Sequence, residues 1–198
     1  SKFYFSDLAA NDSIDRINAI AAGLENADLS VEFIMLFVPD NIDLPMLHNL
    51  RRAGCTAVQY GIESLNDSLL RKMAKSPRAL DNLRAIKLTE RAGMQTCSNI
   101  IKCIPLETAE EVLDNYEKIR RFPELLNGYV FARPVAFRVR DGASIKKLTD
   151  RRGYRIVDRA IHEHFWPEGW SKAVPDIEWV VEVPTPDAVF HEHLWKQI

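Results

Sequence analysis

Short apolar runs that alternate with helix-patterned stretches limit what this chain can become. Phe3-Tyr4-Phe5, Val31 to Val38, Ala57 to Ile62, Met94 to Ile104 and Tyr129 to Val139 read as strands. Val31 to Val38 is apolar almost without interruption, so both faces of that strand need cover, as in a parallel sheet with helices packed on it. Between the runs, Ile14, Ile17, Ala21 and Leu24 recur at helical spacing, as do Val112, Leu113, Tyr116 and Ile119. Thr108-Ala109-Glu110-Glu111 has the form of a capping box, and Asn66 or Asp67 suits a helix start. Successive strands begin roughly 25–35 residues apart, the length of one βα unit. The predicted fold is α/β, with four βα units in series and then a fifth strand.

The stretch from Gly54 to Lys75 says where such a sheet would carry its chemistry. It reads as a strand ending in Glu63 and Ser64, a turn, and a helix. Polar groups at the carboxyl end of a parallel strand serve the ligand in α/β proteins. Gln59, Gly61 and Glu63 share one face of this strand, and Val58, Tyr60 and Ile62 share the other. A polar inner row opposite an apolar helix-facing row suits a barrel with a functional interior.

At 198 residues the chain is long enough for one sizeable core. Its net charge of -2 offers no basic stripe, so nucleic acid is not an expected partner. The longest apolar run, Phe33 to Val38, falls far short of the ~20 residues that span a bilayer, so no membrane partner is expected either. The opening Ser1 to Asp7 lacks the apolar core of a signal peptide. Three cysteines, an odd number, do not make a disulfide framework, and a reducing cytoplasm is the expected location. From about Asp141 glycines, prolines and tryptophans punctuate the chain. Residues 1–140 are therefore expected to form a partial (β/α) barrel, and residues 141–198 an irregular Pro/Trp-rich extension with short helices.

Four segments, in order, resemble the radical S-adenosylmethionine (SAM) superfamily. Phe3-Tyr4-Phe5-Ser6-Asp7 is similar to the second strand of that barrel. Gly61-Ile62-Glu63-Ser64, leading into Met73-Ala74-Lys75, is similar to the fourth. Asn82 to Gly93 resembles the helix before the fifth strand. Asn99-Ile100-Ile101-Lys102-Cys103-Ile104-Pro105-Leu106-Glu107-Thr108 resembles the fifth-strand segment itself. The resemblance spans roughly residues 3–122 and implies about strands 2 to 6 of the barrel. It departs from the family where Cys103 and Leu106 replace the glycines that flank the proline, which puts close adenine packing there in question. No Cys-x3-Cys-x2-Cys loop is present, so the [4Fe–4S] cluster of such enzymes would be held upstream, in a longer parent protein.

The resemblance implies that Glu63 and Ser64 bind the ribose or amino-acid part of SAM, since a carboxylate accepts charge-assisted hydrogen bonds. It places Asn99 and Ile101 along the adenine, Arg133 at the SAM carboxylate, and Asp7 near a substrate. Glu107 is expected to be a turn residue at a helix start. Within the superfamily the similarity leans toward enzymes with an upstream cobalamin domain, including peptide-modifying maturases. That implies cobalamin as a further cofactor of the parent, a peptide as substrate, and radical modification or methylation as the reaction. The isolated chain, without cluster ligands, is expected to be inactive.

Two other readings stay open. The chain could be a degenerate barrel acting as an interaction scaffold. Alternatively, the near-duplicates Asp158 to Trp166 and Asp187 to Trp195, each containing His-Glu-His, could form a zinc-dependent hydrolase site, through His162 and His164 on one face of a strand or through Asp158, His162, Asp187 and His191 on paired helices. In a helix, Asp158 and His162 would be neighbours one turn apart, as would Asp187 and His191; two surface helices packed by their aromatic faces would explain the same pattern. Cys55, Cys97 and Cys103 are expected to be buried, inert thiols.

Overall fold

The computed structural model describes residues 2–5, 9–76, 78–104, 106–121, 129–131, 135–137, 139–140, 155–158, 178–182 and 188–197. Strands β1 (Lys2–Phe5), β2 (Glu32–Phe37), β3 (Cys55–Glu63), β4 (Gln95–Lys102) and β5 (Tyr129–Phe131) lie side by side in that order. All are parallel, and β6 (Val135–Ala136) pairs with the last two residues of β4. The connections carry α1 (Ile14–Asn26), α2 (Leu44–Arg52), α3 (Asp67–Lys72), α4 (Ala79–Arg91) and α5 (Ala109–Arg121). This is the serial βα order that the apolar runs imply.

The period of two along each strand decides which side becomes the core. Phe33, Met35 and Phe37 of β2 are buried together with Val58, Tyr60 and Ile62 of β3 and Ile100 of β4. They pack against Ile17, Met46, Leu47, Leu50 and Ile86 from the helices. Each such side chain, fully buried, stabilises the fold by about 1.5–3 kcal/mol. The Tyr60 hydroxyl shares a 2.8 Å hydrogen bond with Thr89, which removes the cost of burying its polar end. The opposite, inner face stays partly open, with Gln59, Gly61, Glu63, Cys97 and Asn99 only half-buried.

Helix ends follow local chemistry. Ser13 caps α1 by accepting from the Arg16 amide, so that helix starts just after a single 3-10 turn (Ala10–Asp12). Asn66 accepts from the Ser68 and Leu69 amides at the start of α3. Thr108 and Glu111 exchange hydrogen bonds at the start of α5, which is the capping box expected there. At the turn between α2 and β3, Gly54 has φ +103, and a Cβ there would stand 2.1 Å from the Val31 carbonyl oxygen. No other residue fits that position.

The sequence differs from its fold beyond α5. The single fifth strand expected over 129–139 is divided into β5, β6 and β7 (Val139–Arg140), with Pro134, which has no N–H for a ladder, between the first two. Strand β7 leaves the parallel sheet and pairs antiparallel with β9 (Glu178–Glu182), whose other edge takes β8 (Arg155–Asp158). Asp158 therefore closes a strand. The second copy does form a helix, α6 (Ala188–Trp195). His162, His164 and Asp187 lie outside the described residues.

Candidate functional site

The site forms where β3 and β4 end. Gln59, in the middle of β3, accepts from the Tyr4 hydroxyl of β1 at 3.2 Å and donates to Asn99 Oδ1 of β4 at 2.9 Å. This polar band crosses the inner face of the sheet. Two residues further along β3, Gly61 leaves room for the Glu63 carboxylate to fold back: a Cβ at Gly61 would stand 3.0 Å from Glu63 Oε1. Glu63 itself has φ +61, and the β3–β4 register shifts between Tyr60 and Glu63. The strand end is bent so that its carboxylate faces the interior.

Lys75, just after α3, reaches Glu63 with Nζ 3.3 Å from Oε1. Burial pushes the Glu63 carboxyl up, and the Lys75 ammonium counters part of that rise. The result is an acid and a base side by side at a strand end, a pair complementary to a zwitterionic amino acid or to a ribose with a charged tail. Lys75 belongs to the Met73-Ala74-Lys75 segment, to which the sequence reading gave no separate role. Its signal was a cation just after the short helix that follows the Glu63 strand.

Ser64 behaves differently from its neighbour. It is 0% exposed; its hydroxyl donates to Asn115 Oδ1 at 2.9 Å and accepts from the Asn66 amide at 3.0 Å. Asn115 Oδ1 also accepts from the Leu65 amide at 2.7 Å. From the other side, the Asn82 side-chain amide donates to the carbonyls of Ile62 and Ser64. Two buried asparagines thus pin the turn that aims Glu63. The sequence reading missed Asn115; an amide among the apolar positions Val112, Tyr116 and Ile119 of one helix face is the signal that marks it.

On β4, Asn99 faces the same interior as Gln59. Ile101 is half-buried against a second cluster formed by Leu69, Leu70, Met73, Ile104 and Phe137. The following loop turns through Cys103 (φ 58) and Leu106 (φ 63), so the two positions where the resemblance would put glycine keep a glycine-like backbone. Lys72 of α3 holds this loop by donating to the Leu106 carbonyl at 2.6 Å and also pairs with Glu111. Burial alone would raise the Glu111 carboxyl, but hydrogen bonds from Lys72, Ser68 and the Thr108 amide hold it below the usual carboxylate range.

Glu107 stands just before the start of α5, as expected, but its side chain is turned inward. It is 4% exposed, with Oε1 2.6 Å from His191 Nε2. Cys55 is buried, which pushes its thiol up to about 12, whereas Cys97 and Cys103 are only half-buried. Asp7 and Arg133 lie outside the described residues. Among the described residues no group of three or more His, Cys, Asp or Glu side chains could hold a metal ion, and no helix is long and apolar enough to cross a membrane.

No protein-family model matches the chain, and no curated protein matches it. Solved structures do. The cobalamin-dependent SAM radical enzyme OxsB aligns over 93% of this chain and 32% of its own, with TM-score 0.64 and 15% identity. The Elp3 protein of the archaeon Methanocaldococcus infernus aligns over 76% of this chain and 40% of its own, with TM-score 0.60 and 14% identity. The radical SAM methyltransferase TsrM of Kitasatospora setae, solved with tryptophan substrate and a SAM analogue, aligns over 69% and 27%, with TM-score 0.54 and 18% identity. This chain spans about a quarter to two fifths of the length of these three proteins. At such identities the likeness shows the fold: a partial (β/α) barrel of the radical SAM type.

Proposed function

We propose that this chain is the SAM-binding part of a radical SAM enzyme, with Glu63 and Lys75 as its polar anchor. The observation that carries this reading is the Glu63–Lys75 pair at the bent end of β3, facing the inner side of a radical SAM-type sheet. Glu63 would accept from the ribose hydroxyls or the ammonium of SAM, and Lys75 would meet its carboxylate. Asn99 would hydrogen-bond along the adenine, and Ile101 would pack against it. Ser64 is proposed to serve the same site from behind, by holding the turn. Arg133 remains proposed as a second contact for the SAM carboxylate and Asp7 as a substrate contact.

The iron–sulfur cluster has no place among the described residues, so its ligands are proposed to lie elsewhere in a parent protein. The sheet supports this: among the described residues β1 pairs on one edge only, with Phe3 and Tyr4 about half exposed there. An apolar groove of about 340 Å³ runs beside it, between Phe3, Phe5, Leu24, Leu29 and Phe33. Another βα unit on that edge would bury this surface. When bound, SAM and the cluster supply the radical chemistry, and the barrel supplies binding and orientation. Cobalamin as a further cofactor, a peptide as substrate and methylation as the reaction are proposals of the same standing, and the isolated chain is proposed to bind SAM without turning it over.

Titration calorimetry with S-adenosylhomocysteine tests the anchor. Binding is expected, weakened about tenfold or more in Glu63→Ala, as the loss of a hydrogen bond to a charged group implies. Unchanged affinity in that variant would move the site elsewhere. A Cys-x3-Cys-x2-Cys loop encoded upstream of Ser1 would support the cluster assignment, and its absence from the gene would favour the scaffold reading.

A further inference from the structure

We infer that His191, in the C-terminal helix α6, is a positioning residue for the proposed SAM site and acts through Glu107 on the loop that follows β4. The inference rests on the SAM-binding reading for its functional consequence, but its structural half stands by itself. The turn through Cys103 and Leu106 costs energy to hold, because both non-glycine residues sit at positive φ. Such a turn persists only where its surroundings fix it. Lys72 fixes one side through the Leu106 carbonyl.

The other side is fixed by His191, which lies 84 residues away in sequence and is 2% exposed. Its Nε2 stands 2.6 Å from Glu107 Oε1 and 3.4 Å from the Cys103 amide nitrogen, so one ring edge spans both ends of the loop. Its Nδ1 lies 3.4 Å from the Tyr116 hydroxyl, and the Tyr116 ring packs against both the imidazole and Trp195. The imidazole is therefore held in one orientation by α5 and by its own helix. Glu107 Oε2 is buried and, among the described residues, has no hydrogen-bond partner, so within them His191 is the side chain that holds this carboxylate. Removing the imidazole would strand a buried acid, and the loop could relieve that only by opening. Since the same loop continues directly from Asn99 and Ile101, its opening would loosen the adenine side of the site.

The test is hydrogen–deuterium exchange on the ligand-free chain, run beside S-adenosylhomocysteine titration, for wild type, His191→Asn and His191→Gln. Asparagine is polar but too short to reach Glu107, and glutamine returns a nitrogen near the Nε2 position. In His191→Asn, exchange over 103–108 is expected to rise about tenfold while β3 is unchanged, and affinity to fall several-fold. His191→Gln should restore both. Loop exchange that stays at the wild-type rate in His191→Asn would overturn the inference. So would equal exchange in the two variants. Absence of binding by wild type would instead overturn the SAM-site reading, whatever the exchange shows.

Discussion

Glu63 bears two opposed demands. Burial raises its carboxyl, so the folded state holds the Glu63 proton more tightly than the unfolded chain does. The contribution of that group to stability is then complete below its ordinary value of 4.5 and is lost as the pH rises through its folded value. Glu63→Gln, which has no charge to bury, should therefore be more stable than wild type at about pH 7 and no more stable at about pH 4. Denaturant midpoints at the two pH values check this; a variant less stable at neutral pH would mean that the ion pair with Lys75 outweighs burial. The same position was legible in the sequence, since a carboxylate ending an otherwise apolar strand has few structural uses. Lys75 was not, because its partner is reached only once α3 turns the chain back. A second residue-scale prediction concerns Leu106, which is exposed and at φ 63. Leu106→Gly should be neutral or stabilising, and Leu106→Val should lose about 1 kcal/mol, because a β-branched residue tolerates that backbone least. Thermal unfolding of the pair separates backbone strain from side-chain contact.

At the scale of elements, the turn after β3 is held by helices that come later in the chain. Asn115 of α5 satisfies the Ser64 hydroxyl and the Leu65 amide, and Asn82 of α4 satisfies two carbonyls. Asn115→Leu should cost about 2–3 kcal/mol, since it strands a buried donor pair, and should weaken S-adenosylhomocysteine binding as well. A variant equally stable to urea, with binding intact, would show that the turn needs no pin. Strands β1 to β4 were readable from their apolar residues, although the expected cover on both faces is not found: Phe3, Tyr4 and Ile34 are exposed. Helix α2 was harder to single out: it is short, and its buried Met46, Leu47 and Leu50 do not repeat beyond two turns. Asp43 as N-cap with Pro45 in the first turn is the signal that finds it. The division of 129–139 among three strands depends on which sheet each piece joins, and a local pattern carries no such information.

For the whole molecule, the inner face of the sheet is unified by side chains from several strands: Tyr4, Gln59 and Asn99 in one hydrogen-bonded band, with Glu63 and Lys75 at its end. The C-terminal helix reaches the same end through His191 and Glu107. None of these long-range pairs is written in local periodicity, which is why the fold was more legible than the site. The most direct test of the account is a map of amide chemical-shift changes on titrating the chain with S-adenosylhomocysteine. The account predicts changes gathered at Gln59, Glu63, Lys75, Asn99 and the 103–108 loop. Saturable changes centred elsewhere, or none at all, would contradict the claim that this chain is the SAM-binding part of a radical SAM barrel.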